Sequence, residues 1–256
     1  MKESFITEAE KHTEIAGKYD VIVAGSGPSG FAAAVTAARN GAKTLIIEAQ
    51  SGVGGISTSG LMSHFTGRVE SRLYSEILER SHKQDFFKCD DKVRIDPELL
   101  KNTYLEMLQA AGVDILLYTL VCDVIKNGDR VCGVITENKS GRRAYLADVL
   151  IDATGDGDLA CRAGAEYFKG RESDGKMQPA TLMFKVGGVD MSRAVFPPSF
   201  ETTVETDKGE LQALAKKLLP YPAGHVLLYA STIPGIVTCN MTNCTEIDGT
   251  KAEDLT

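Results

Sequence analysis

Thirty residues leave little freedom for the fold. Tyr19 to Glu48 read YDVIVAGSGPSGFAAAVTAARNGAKTLIIE. Tyr19 to Ala24 is a short apolar run of the kind that forms a buried parallel strand. It runs into Gly25-Ser26-Gly27-Pro28-Ser29-Gly30, a G-x-G-x-x-G, then an alanine-rich helix stopping near Asn40-Gly41. A second apolar strand, Thr44 to Ile47, ends on Glu48. Strand, glycine loop, helix, strand and terminal acid in this order form a dinucleotide-binding fingerprint. Gly25 permits the tight turn, Gly27 lets a pyrophosphate approach the backbone, and Gly30 lets helix and strand pack closely. The helix N-terminus offers free N–H groups and a partial positive charge to phosphate. Glu48, at the tip of the second strand, is placed to accept hydrogen bonds from both hydroxyls of an adenosine ribose. It would repel a 2′-phosphate, which disfavours NADP.

Composition excludes several classes. The 256 residues carry a net charge of −7 and are 43% hydrophobic, enough for one large domain or two moderate ones. With no basic run, nucleic acid and anionic membrane are not expected partners. The first twenty residues are charged throughout, unlike a secretory signal, and no apolar stretch reaches transmembrane length. Cysteines at 89, 122, 132, 161, 239 and 244 include no C-x-x-C, which removes dithiol and iron–sulfur motifs. They read as reduced thiols of a cytoplasmic protein, and no metal site is expected.

Residues 1–18 form a polar leader, as a short helix or a loose segment. After Glu48 comes a charge-free stretch rich in glycine and serine, Gly52 to Gly60. Val69 to Gln84 has helical spacing, with Leu73, Ile77 and Leu78 on one face. Asp96-Pro97-Glu98 opens another helix, with Asp as N-cap and Pro at the first helical position, ending at Ala111-Gly112. A strand follows at Val113 to Tyr118. Thr119 to Ile125 and Val131 to Thr136, joined by Asn127-Gly128-Asp129, form a hairpin. Ser140-Gly141 turns into a third strand, Arg143 to Ile151, so an antiparallel meander follows the parallel unit. Beyond Ala165, strands are expected at Thr181 to Val186, His225 to Tyr229 and Ile236 to Cys239, and a helix at Glu210 to Leu219.

Ala153-Thr154-Gly155-Asp156-Gly157-Asp158 fails as a calcium loop, with Thr154 and Ala163 where ligands are required. Its small residues instead end a strand and leave room beside the backbone. These features, in this order, resemble the two-dinucleotide-binding-domain flavoproteins of the glutathione-reductase type. GGISTSGLMSHFTG, IDATGDGDLA and MQPATLMFKVGGVD resemble more closely the FAD-dependent oxidoreductases labelled xanthan-lyase-like. These are distantly related to the flavin-binding part of heterodisulfide reductase.

The resemblance implies an α/β, Rossmann-like FAD/NAD(P)-binding fold with a β-meander and a second, smaller α+β substrate domain. Residues 19–164 would be the FAD-binding domain, with a helical excursion at 61–95, and residues 165–256 a partial substrate domain. Gly25, Gly27, Ser29 and Gly30 would line the FAD pyrophosphate, and Glu48 would hold the ribose. Gly55, Ile56 and Ser57 would pass the ribityl chain, and Val121 would offer its backbone to adenine. Thr154, Gly155 and Asp156 would lie against the cofactor. Flavoproteins of this type close the flavin site with a late strand, Gly-rich turn and helix. Nothing after Asp156 supplies these, so the chain reads as a family member lacking its C-terminal part.

Among the histidines, His64 follows the glycine-rich loop and is the candidate for moving a proton during hydride transfer. Arg68 is the candidate anchor for an anionic substrate. Three functions fit: an oxidoreductase passing two electrons between FAD and a small substrate, with a possible electron-transfer partner; a dinucleotide-binding fragment without catalysis; and a thiazole-synthase-like enzyme using a nicotinamide dinucleotide. Oligomeric state is not encoded legibly.

Overall fold

In the computed structural model, residues 6, 8–62, 64–66, 69–81, 93–197 and 202–256 are described. The elements run β1 (Glu14–Ala24), α1 (Pro28–Arg39), β2 (Thr44–Ile47), β3 (His64–Phe65), α2 (Arg72–Ser81), β4 (Val93–Arg94) and α3 (Pro97–Ala110). There follow β5 (Asp114–Leu116), β6 (Leu120–Asn127), β7 (Arg130–Asn138), β8 (Gly141–Asp152) and α4 (Asp158–Ala163). The last elements are β9 (Phe184–Val186), β10 (Glu205–Thr206), β11 (Gly209–Glu210), α5 (Leu211–Leu218), β12 (Leu227–Ala230) and β13 (Val237–Asn240). The chain divides into two units, residues 1–51 with 108–165 and residues 52–107 with 166–256.

The first unit is built on a six-stranded sheet of order β5-β2-β1-β8-β7-β6. β5, β2, β1 and β8 are mutually parallel, and β8, β7 and β6 form an antiparallel meander. The apolar run after Tyr19 becomes the buried half of β1, with Ile22, Val23 and Ala24 fully inaccessible. Phe31, Ala34 and Val35 bury the inner face of α1, and Ile22, Leu45, Ile47, Val134 and Tyr145 share one core. β1 begins at Glu14, inside the segment that reads as a polar leader. The cause is tertiary: β8 is 12 residues long, and its first half pairs with Glu14 to Lys18 as well as with β7. Backbone pairing outweighs weak local propensity there.

The second unit holds a three-stranded sheet, β12-β13-β9, and the small pair β3-β4. Asp96 caps α3 as its sequence implies, its Oδ1 accepting from Glu98 N and Leu99 N at 3.0 Å. Its Oδ2 accepts from Thr232 Oγ1, which ties the cap to the turn after β12. α2 begins at Arg72, later than the Val69 its spacing suggests, and residues 82–92, with the expected end at Gln84, lie outside the described set.

Two polar latches hold opposite ends of the parallel strands in the first unit. At the start, Tyr19 donates its hydroxyl to Asp114 Oδ2 at 3.0 Å, linking β1 to β5, with Lys43 Nζ 4.6 Å from the ring centre. Burial, then the Asp114 carboxylate, push the Tyr19 hydroxyl from the ordinary 10.0 up to about 12. At the other end, Asp152 Oδ1 accepts from Thr154 N and Oγ1 at 3.0 and 2.7 Å, and Oδ2 accepts from Ala160 N at 2.8 Å. Burial alone would raise the Asp152 carboxyl; the donors from Ala160 and Thr154 outweigh it and hold the group below 3.8.

The latches give stability opposite pH signatures. Tyr19 is raised, so its contribution is complete below pH 10.0 and disappears as pH rises through about 12. Tyr19→Phe is therefore less stable than the native protein at pH 8, and calorimetry shows that gap closing between those two values. Asp152 is lowered, so its contribution is present above 3.8 and disappears as pH falls through its folded value. Asp152→Ala costs about 1 kcal/mol at pH 7 in urea unfolding, because the part-buried donors from Thr154 and Ala160 lose their acceptor, and the deficit shrinks in acid. A constant deficit across pH would remove either assignment.

Candidate dinucleotide site

The glycines of the fingerprint are glycines for three different reasons. Gly25 has φ +92, a left-handed conformation costly for other residues, and a Cβ there would lie 2.3 Å from the Ala153 carbonyl oxygen. Gly30 is in a helix, where alanine is normally better by about 1 kcal/mol. Here a Cβ would stand 2.0 Å from Gly25 O and 3.1 Å from Ala153 Cβ, so steric exclusion wins. Gly27 meets neither constraint. Its φ of −59 is open to any residue, and a Cβ would meet no protein atom within 4 Å. Its place before Pro28 puts that open space at the start of α1, which has no side-chain cap and no acidic residue in its first turn. A bare helix N-terminus beside a bare backbone fits a pyrophosphate. Ser29 is exposed next to it.

Glu48 is buried, 8% exposed. Its Oε2 accepts from Ser26 N at 2.9 Å and from Ser26 Oγ at 2.6 Å, and its Oε1 from Gln50 N at 2.8 Å. The glycine loop and the tip of β2 are thereby tied together. Thr119 N donates to the Glu48 carbonyl oxygen at 2.9 Å, which brings the start of β6, and Val121 within it, towards the same strand end. The Val121 side chain is in the core, so its backbone is what it can offer. The Thr154 hydroxyl is engaged by Asp152 and by the Asp158 N–H. Gly155, at φ +94, has open space beside it, and Asp156 is exposed.

In the second unit, Gly54 and Gly55 adopt φ +107 and +51. Ser57 Oγ donates to Gly54 O and Thr58 Oγ1 to Val53 O, both at 2.7 Å. Ser57 also hydrogen-bonds the buried Tyr104 hydroxyl, whose proton affinity burial raises. The turn thus holds its hydroxyls inward and presents Ile56, 61% exposed. His64 is buried on β3, opposite Arg94. Its ring centre is 5.0 Å from that of Tyr229, inclined at 51°. Arg68 lies outside the described residues. Among the described residues no cluster of His, Cys, Asp and Glu could hold a metal, and no helix is long and apolar enough to cross a membrane.

Two residues of this arrangement escape sequence reasoning. Ser26 occupies a variable position of the motif, and its only signal is polarity at a place that must be buried. Asp152 is one of three neighbouring aspartates, distinguished only by sitting on the strand side of the turn.

Comparison with known proteins bears on the fold and the family. A thiamine thiazole synthase of Methanococcus maripaludis is 32% identical over 146 residues, covering 53% of this chain and 55% of that protein. Digeranylgeranylglycerophospholipid reductase 1 of Methanococcoides burtonii is 25% identical over 202 residues, covering 69% and 47%. The chain thus spans about half the length of the curated relatives it matches. A geranylgeranyl bacteriochlorophyll reductase-like structure from Thermoplasma acidophilum superposes with a TM-score of 0.61 at 20% identity, covering 91% of this chain and 57% of that one. This likeness shows the Rossmann-like fold. The family described as FAD dependent oxidoreductase matches residues 20–256. The chain belongs to that family, whose cofactor is FAD.

Proposed function

We propose that the protein passes two electrons between FAD and a small-molecule substrate. The observation that carries the reading is Gly27. Neither backbone conformation nor packing requires glycine there, so a ligand at the head of α1 is what a side chain would displace. In this reading Gly25, Gly27, Ser29 and Gly30 line the pyrophosphate and Glu48 meets the ribose. Val121 offers backbone to adenine, and Thr154, Gly155 and Asp156 border the cofactor through their backbone. The resemblance assigns Gly55, Ile56 and Ser57 to the ribityl side. The flavin supplies hydride chemistry; the chain binds, orients and excludes water. His64 holds the proton that accompanies the hydride, with its ring plane set by Tyr229, and Arg68 binds an anionic group of the substrate.

A second reading rests on the thiazole synthase relatives. It makes the bound ligand a colourless adenylated product of a nicotinamide dinucleotide. The same preparation separates the two: visible absorbance with FAD released on denaturation supports the first reading, and a colourless adenylated compound the second.

Gly27→Ala tests the site directly. The variant folds and is as stable as the native protein, or more so by about 0.5 kcal/mol because the unfolded chain loses freedom. Its FAD affinity, measured by flavin fluorescence quenching, falls at least tenfold. Gly30→Ala does the reverse, lowering stability by about 3 kcal/mol or more through overpacking. Equal FAD binding by native protein and Gly27→Ala would remove the pyrophosphate from this position.

A further inference from the structure

We infer that Ser26 limits Glu48 to a single ribose hydroxyl, so that this chain reads one of the two adenosine hydroxyls and not both. The inference rests on the placement of Glu48 at the FAD ribose. A carboxylate is an acceptor with about four lone-pair positions. Among the described residues three are taken, two on Oε2 by the Ser26 N–H and hydroxyl and one on Oε1 by the Gln50 N–H. One position remains, on Oε1.

Giving up a protein donor to take a second hydroxyl is unfavourable. The Ser26 and Gln50 amides are backbone groups fixed by the turn out of β1 and by the end of β2. The Ser26 side chain is wholly inaccessible and Glu48 nearly so, so a displaced Ser26 hydroxyl would have no water to turn to. A buried hydroxyl without a partner costs about 1–3 kcal/mol, as much as the charge-assisted bond gained. The carboxylate thus arrives pre-positioned, with its single vacant lone pair as the reading element. In the same way Ser26 acts as a positioning residue, working through Glu48 without touching the ribose.

The test uses the full chain, FAD, and two analogues lacking the 2′- or the 3′-hydroxyl of the adenosine ribose, with affinity read from flavin fluorescence. In the native protein one analogue binds about tenfold more weakly than FAD, the worth of one charge-assisted hydrogen bond, and the other within about twofold. In Ser26→Ala, Oε2 gains a vacant position and both analogues bind more weakly than FAD. Comparable losses for both analogues in the native protein overturn the inference while leaving Glu48 at the ribose. No loss for either, together with unchanged FAD affinity in Glu48→Gln, overturns the ribose placement as well. The native comparison decides the matter even if Ser26→Ala does not fold.

Discussion

Three backbones meet where the first unit can hold no side chain between them. Gly25 O lies against Gly30, and Ala153 O against Gly25. The surrounding hydrogen bonds fix these approaches: Gly25 N donates to Ile47 O, Ala153 N to Ala24 O, and Phe31 N to Gly27 O, at 2.8 to 2.9 Å. β1, β2, β8 and the start of α1 are thus pinned at one point. Everything assigned to the cofactor in this unit depends on that point, because it decides where the helix N-terminus, the Glu48 carboxylate and the Thr154 turn can be. A single Cβ there would push the helix off the sheet, and the start of α1 and the Glu48 carboxylate would lose their common frame.

The polar groups around this point follow one pattern. The strands β2 and β8 end here on a carboxylate at or beside the tip, and each carboxylate is engaged by a neighbouring segment. Glu48 gathers Ser26 and Gln50, and Asp152 gathers Thr154 and Ala160. Such carboxylates are stabilised by fixed N–H dipoles without a cationic partner. The same kind of donor that would satisfy an anion in a ligand is here committed to an anion of the chain, and the exception is the head of α1, which has no side-chain cap. Those uncapped donors suit an anion, which is the charge the proposed pyrophosphate would bring.

What the sequence made legible tracks the length over which one physical cause acts. The strand–loop–helix–strand unit was readable because apolar runs, turn residues and helix formers all agree from Tyr19 to Glu48. The α3 cap and the Asn127–Asp129 hairpin were readable because each is local. The extension of β1 back to Glu14 was not, because its cause is the long β8, more than a hundred residues away. Beyond Ala165, β9 begins at Phe184, not at Thr181, β12 runs Leu227–Ala230 where His225 to Tyr229 is expected, and β13 keeps its four residues but shifts by one to Val237–Asn240. Short strands have few inward positions, so their ends are set by neighbours such as the Ala180–Cys244 bridge, which no local pattern announces. Ser26 and Asp152 were hidden for a related reason. A polar residue declares its partner only when the fold brings the two together.

The second unit poses the complementary problem. Its candidate histidine sits on a two-residue strand, so backbone pairing alone holds His64 weakly. The Tyr229 ring adds a constraint from β12, and the Asp96–Thr232 bond ties the loop after β12 to the cap of α3. Burial raises the Tyr229 hydroxyl, so it stays protonated through the physiological range, with Asn240 as hydrogen-bond partner. A neutral aromatic wall fixes an imidazole's orientation without adding a charge that would bias its protonation. The Tyr229 face restricts the ring from β12, and Arg94 is the register partner of His64 on β4.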